Sequence, residues 1–352
     1  MNSIFKAMPL LAALWLIGGQ VASAGVILVY HHVSKETPPS TSVTPERFDE
    51  HLDYLESRDF EVWPVERLVA AVIDKAETVP DRVVSITFDD AYASVHETAW
   101  PMLQARGWPF AVFVNTDAID AGRQPYMTWD ELRELAANGV TIGNHSASHA
   151  HLIARQAGEQ VGAWQARVRN DLHQARQRIE DEIGKAPTLF AYPYGEDSAA
   201  LAEIVGEHHG FALVQRSGAV GEYTPRLAIP RFPMATGFDS LERFSLAVNA
   251  RALPVISEQP VPPGDGVRQP VQTLNLQLAS GEYRSEQIGC FTSTGQRLES
   301  TLTQGSPHRL NVAVNGLGSR GRNKINCTAP ASDGSGDFFW HSYQWVQHEV
   351  RD

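Results

Sequence analysis

The sequence predicts an α/β chain built on a (β/α) barrel, followed by a small all-β, sandwich-like domain. Three observations carry the prediction. From Val26 to about Arg231 short apolar runs alternate with amphipathic helical segments, the rhythm of a parallel sheet. The number of such units favours a barrel over an open sheet. Beyond a Pro/Gly-rich stretch at 254–270 the helical periodicity stops, and only short strand-like runs between turn residues remain.

The elements follow in order. Val26–Tyr30 (VILVY) is a strand, apolar throughout. Thr44 caps a helix that takes Pro45 at its first position and lines Phe48, Leu52 and Leu55 on one face. Val83–Thr87 and Phe110–Val114 are the next strands, with a helix from about Val95 to Arg106 between them, bent at Pro101 and closed by Gly107. Thr128 to Glu131 is a capping box opening a helix that Gly139 ends. Val140–Gly143 is again a strand, and a polar helix from about Gln160 to Ile183 precedes a strand over Thr188–Tyr192. In the second domain strands are expected over Thr273–Ala279, Glu286–Thr292, Arg309–Val314, Asn323–Cys327 and Phe338–Val346.

Residues 1–24 read as a signal peptide: Lys6, an apolar run from Leu10 to Ile17, then Ala22-Ser23-Ala24. The run is shorter than the roughly 20 residues of a membrane span, although a retained anchor is the alternative. No second long apolar run follows Gly25, so a secreted or periplasmic protein without a stable membrane span is expected. Cys290 and Cys327, the two cysteines, then pair as one disulfide of the second domain. The net charge of −12 becomes about −13 without Lys6, and no Lys/Arg cluster is present, which argues against nucleic acid.

Active sites of such barrels lie at the carboxyl ends of the strands, and three polar clusters stand there. The first is Asp89-Asp90 after VVSITF; adjacent acids at a strand end point in different directions, so one can bind a metal while the other acts as base. The second is His145 and His149, expected on one helical turn; with Asp90 they give two imidazoles and a carboxylate, leaving positions open for water and substrate. The third is Tyr192-Pro-Tyr194-Gly, a turn whose backbone N–H groups can serve an oxyanion. Each alone also reads as an ordinary loop or turn.

Together, TFDD at 87–90, HSASH at 145–149 and YPYG at 192–195 resemble the NodB-like polysaccharide deacetylases, carbohydrate esterase family four, over roughly residues 26–235. The resemblance implies a distorted (β/α) barrel and metal-dependent hydrolysis of N-acetyl or O-acetyl groups on glycans. It implies Asp89 as general base, Asp90, His145 and His149 as ligands of one divalent ion (Zn2+ first, Co2+ or Ni2+ also), and the Tyr194 amide as oxyanion donor. Two departures stand out. The arginine that many members place before the proline turn is missing from Pro187–Tyr192, and Arg231 is the expected replacement. No histidine lies between Gly221 and Leu253, where many members carry the general acid.

The front of the chain offers one instead. Tyr30-His31-His32-Val33 is similar to the early motif of the poly-β-1,6-N-acetylglucosamine deacetylases. His31 fits that register, while His32 points the other way on an extended segment. An acetylated amino-sugar polymer is therefore the expected partner, with Tyr92, Tyr126, Trp129 and Tyr192 as substrate-binding residues and Trp108 beside them. Competing readings are an O-acetyl esterase, a glycan-binding protein with a decayed barrel, and a two-histidine-one-carboxylate iron oxygenase. Trp340, Tyr343 and Trp345 read as polymer-binding residues or, in the plainer view, as core of the second domain.

Overall fold

The computed structural model describes residues 24–259, 273–314 and 321–347. Residues 1–23 of the expected signal peptide and 260–270 of the expected linker lie outside them.

The barrel strands are β1 (Val26–Tyr30), β2 (Glu61–Val62), β3 (Val83–Phe88), β4 (Ala111–Val114), β5 (Thr141–Asn144), β6 (Leu189–Ala191), β7 (Phe211–Leu213) and β8 (Phe232–Pro233). All pair in parallel, in the order β8-β1-β3-β4-β5-β6-β7, with β2 beside the first residues of β3. A parallel bridge from Leu213 to Ile229 nearly closes the ring against β8. The helices are α1 (Pro45–Ser57), α2 (Val65–Ile73), α3 (Trp100–Ala105), α4 (Thr116–Asp120), α5 (Trp129–Ala137), α6 (Val161–Ile183), α7 (Ala199–Gly206) and α8 (Leu241–Val248). The bend expected at Pro101 is a short π-helical turn, Val95–Ala99, leading into α3. The capping box at Thr128 and Glu131 is formed as read.

Strand alternation decides what enters the barrel. Val26, Leu28 and Tyr30 of β1, with Val84, Ile86 and Phe88 of β3, pack on α1 through Phe48, Leu52 and Leu55. The intervening residues turn inward, where Ile27, Ala111, Phe113, Leu189, Ala191 and Leu213 share a second cluster with Leu68 and Val69 of α2. A Cβ on Gly25 would stand 2.4 Å from Leu68, so α2 seals the end at which β1 begins. The same alternation sends His31 and Asp89 inward at the opposite end.

The second domain consists of β9 (Arg251–Ala252), β10 (Val255–Gln259), β11 (Thr273–Leu278), β12 (Gly289–Thr292), β13 (Ser300–Thr303), β14 (His308–Ala313), β15 (Gly321–Pro330) and β16 (Phe338–Gln347). They form two four-stranded sheets, β9-β16-β15-β12 and β10-β11-β14-β13. Their facing sides share one core, including Leu274, Leu276, Ile325, Cys327 and Trp345. Part of the expected linker is thus a strand: Val255–Gln259 pairs antiparallel with β11, because a backbone beside an open sheet edge gains ladder bonds there. The Cys290–Cys327 disulfide joins directly paired residues of β12 and β15, within one sheet rather than across the two. Tyr343 and Trp345 belong to that core, and Trp340 packs its ring 5.5 Å from Phe232 of the barrel. Tyr343 and Trp345 are thus core of the second domain, as in the plainer view, whereas Trp340 lies outside that core, against the barrel.

Candidate active site

Asp89 follows β3 and continues its inward alternation. Its carboxylate receives a bidentate pair from Arg231, Nη1 to Oδ1 and Nη2 to Oδ2 both at 2.7 Å. Arg231 is fully buried, donates further to Thr87 Oγ1 and the Val214 carbonyl, and lies with its guanidinium 5.5 Å from the Phe113 ring centroid. Burial opposes ionisation of Asp89, but the Arg231 guanidinium holds its carboxyl below the usual carboxylate range. Arg231, the expected replacement for the arginine missing before the proline turn, reaches Asp89 from the segment that leads into β8.

Asp90 would point outward in regular strand. Its φ of 73° and that of Ala91, 59°, break the alternation and bring the second acid back toward the site. Asp90 Oδ1 lies 3.3 Å from His145 Nε2 and 3.0 Å from His149 Nε2. This oxygen is buried and none of these approaches has the alignment of a hydrogen bond. One ligand atom from each of the three residues lies within 4.8 Å of the others, so the donor set fits a single divalent cation. Burial again opposes ionisation, while the two imidazoles hold the Asp90 carboxyl well below its ordinary range.

The histidines are not on a helical turn, as the spacing had suggested. Residues 145–149 form a loop after β5 in which Ser146 (φ 66°) and His149 (φ 53°) are left-handed. That path brings both rings to Asp90 from an irregular segment, so its shape needs outside support. Asp171 of α6 supplies it, accepting from the Ala147 amide at 2.9 Å and from the amide and hydroxyl of Ser148. Asn144 Oδ1 accepts from the Ser146 amide at 2.8 Å. His145 Nδ1 donates to the Ala191 carbonyl at 2.8 Å, which leaves Nε2 for a cation. The bonds to Asp171 and to the Ala191 carbonyl were not legible in the sequence, since they join residues distant in the chain, whereas the Asn144–Ser146 bond is local.

The third cluster closes the site. Tyr194 (φ 60°) and Gly195 (φ 68°) form a left-handed turn after β6. A Cβ on Gly195 would stand 2.3 Å from the Gln215 backbone, so glycine is required there. The Tyr194 ring meets His149 edge-on at 4.6 Å and stacks on His151 at 4.1 Å, and His151 Nδ1 pairs with buried Glu196 at 2.9 Å. His151 and Glu196 were not singled out as site residues beforehand. Five of the eight non-glycine residues with positive φ among the described residues, Asp90, Ala91, Ser146, His149 and Tyr194, belong to this site, as expected where backbone strain serves function.

The two early histidines diverge as predicted. Half-buried His31 feels the charges of Asp89, Asp90, Arg231 and His145. Burial lowers its pKa, with the two carboxylates opposing. His32 stacks on Tyr92 at 3.6 Å, and Tyr92 stacks in turn on Tyr126 at 4.9 Å, a column of rings beside Asp90 in which His32 is buried and the two tyrosines are half-buried. Two expected substrate residues fall elsewhere. Trp129 is 9% exposed, donates to Asp120 at 2.7 Å and lies under Arg178 at 4.9 Å, holding α5 to its neighbours. Tyr192 faces outward with Phe190, against Leu201 and Ile204 of α7, and bonds the Leu227 carbonyl at 2.9 Å. Trp108 is a partly buried flank of the main core.

Similarity to known proteins agrees with this geometry. The sequence model of the family described as polysaccharide deacetylase matches residues 76–212. The poly-beta-1,6-N-acetyl-D-glucosamine N-deacetylase of Staphylococcus aureus (strain MRSA252) is 24% identical over 213 residues, 57% of this chain and 72% of its own. Among solved structures, the deacetylase PplD of Streptococcus pyogenes, in complex with acetate, superposes with a TM-score of 0.58 at 18% identity, covering 65% of this chain and 99% of its own. IcaB from Ammonifex degensii superposes with a TM-score of 0.57 at 21% identity, covering 65% and 98%. Both share the barrel fold. Over residues 76–212, which carry Asp89, Asp90, His145, His149 and Tyr194, the chain is thus similar to the polysaccharide deacetylases.

Proposed function

We propose that this protein hydrolyses N-acetyl groups of an amino-sugar polymer, poly-N-acetylglucosamine or a chitin-like chain, outside the cytoplasm, and depends on one divalent ion, zinc first. The observation that carries the reading is the convergence of Asp90, His145 and His149 within 4.8 Å, beside a carboxylate held bidentately by a buried arginine. The similarity to a poly-N-acetylglucosamine deacetylase supports the choice of polymer. The disulfide, and the lack of any helix among the described residues long and apolar enough to cross a membrane, are compatible with an extracellular setting.

Bound to Asp90, His145 and His149, the ion would polarise the acetyl carbonyl and make a water a better nucleophile. Asp89, kept ionised and oriented by Arg231, takes a proton from the water as its oxygen attacks the carbonyl carbon. The Tyr194 amide stabilises the negative charge that develops on the carbonyl oxygen. The carbon–nitrogen bond then breaks, His31 delivers a proton to the departing nitrogen, and acetate and a free amine result. The Tyr92–Tyr126 stack offers an aromatic face to the sugar ring.

Acetate release from a panel of N-acetylated and O-acetylated glycans tests the reading, run on the wild type and His31→Ala. Release from N-acetylglucosamine polymers by the wild type is expected, with turnover lowered about 100-fold in the variant at unchanged metal content. Release from O-acetyl glycans alone would overturn the N-deacetylase assignment, and full activity of His31→Ala would remove it as the acid.

A further inference from the structure

The second domain reaches the turn on which the proposed oxyanion donor lies. Arg322 of β15 donates through Nη1 to the Tyr194 carbonyl at 2.6 Å and to Gln215 Oε1 at 3.3 Å. Gln344 of β16 donates to the Gly195 carbonyl at 2.8 Å. Lys324, two residues along β15 from Arg322, donates to the Gln215 carbonyl at 2.7 Å. Gln215 itself packs its backbone against Gly195 and brings its amide nitrogen within 3.5 Å of His31 Nε2. One β-sheet thus grips both consecutive carbonyls of the left-handed turn and the residue between that turn and His31.

We infer that this sheet of the second domain is a positioning element of the active site, with Arg322, Lys324 and Gln344 holding the Tyr194-Gly195 turn and Gln215 in the geometry that catalysis uses. The catalytic consequence rests on the function proposed above; the clamp itself does not. Two successive left-handed residues, one of them a tyrosine, are costly for a free loop and persist where neighbours over-determine them. The barrel contributes bonds inside the turn, Gly195 amide to Tyr192 carbonyl at 2.8 Å and Glu196 amide to Pro193 carbonyl at 3.2 Å. The two carbonyls of the left-handed residues are taken up from the other domain. Arg322 is exposed and its strand is anchored independently along β16, so its side chain can be removed without opening either core. A carbonyl carries no proton, so these residues act on the orientation of the Tyr194 amide rather than on the reaction itself.

The test compares the full chain with Arg322→Ala, Arg322→Lys and Lys324→Met by amide hydrogen exchange and by steady-state deacetylation. In Arg322→Ala the Gly195 and Glu196 amides should exchange about five to ten times faster, with core strands β3 and β4 unchanged. Its kcat should fall about tenfold at nearly constant KM and metal content, Lys324→Met should show a smaller loss, and Arg322→Lys should recover part of it. Unchanged exchange at Gly195 and Glu196 would overturn the clamp, and faster exchange with undiminished kcat would overturn its role in catalysis. A wild type that releases no acetate would instead refute the proposed function, with the exchange data still deciding the clamp.

Discussion

Asp89→Asn is expected to lower turnover about 10²–10⁴-fold while the protein stays folded and keeps its full metal content. Asparagine preserves the shape of the side chain and one oxygen for Arg231, so the buried contact survives in weakened form. It cannot accept the proton of the attacking water. The proposed metal ligands are untouched, because Asp90 rather than Asp89 lies against His145 and His149. Measuring turnover and metal content on one preparation separates the two acids. A variant that lost its metal, or kept wild-type turnover, would reverse the roles assigned to them.

Arg231→Met is the second large effect, and it acts on stability as well as activity. Arg231 is fully buried and the Asp89 side chain is 4% exposed, so removing the guanidinium strands a carboxylate in the barrel interior. Breaking a buried pair from one side costs about 3–5 kcal/mol. The carboxyl responds by holding a proton, which removes the base as well. Replacing both partners, Arg231→Met with Asp89→Leu, should recover most of the stability and none of the activity. Chemical denaturation of the two variants checks this. Equal destabilisation in both would show that Arg231 stabilises the barrel through Thr87, Val214 and Phe113 instead.

The sequence revealed the site wherever strand alternation carries on past the strand end. Inward positions of β1 and β3 lead to His31 and Asp89, and both lie as read. The same rule, applied to β6, would have turned Tyr192 outward with Phe190, yet its place in the YPYG motif drew it into the substrate list. Trp129 went astray for a related reason: as the first residue of α5 it packs on the layer of helices, and exposure cannot be read from residue type. The helical turn assigned to His145 and His149 failed because HxxxH spacing suits a helix but does not demand one. Left-handed Ser146 and His149, with Asp171 binding the loop from α6, bring the rings together by another path. Contacts between residues far apart in the chain, such as Arg322 to Tyr194, left no local pattern to read. Five of the second domain's strands, β11, β12, β14, β15 and β16, were visible by their turns, whereas the short β9 and β13 were missed and β10 was hidden among prolines that suggested a linker.

The central claim is that acetate release depends on a cation held by Asp90, His145 and His149. The most direct measurement is acetate released from N-acetylglucosamine oligomers by the wild type, after exhaustive chelation and again after stoichiometric Zn2+ is restored, with His145→Ala in parallel. The account predicts that chelation abolishes release, that zinc restores it, and that His145→Ala stays inactive on re-addition. Undiminished release from protein shown to be free of metal would contradict it.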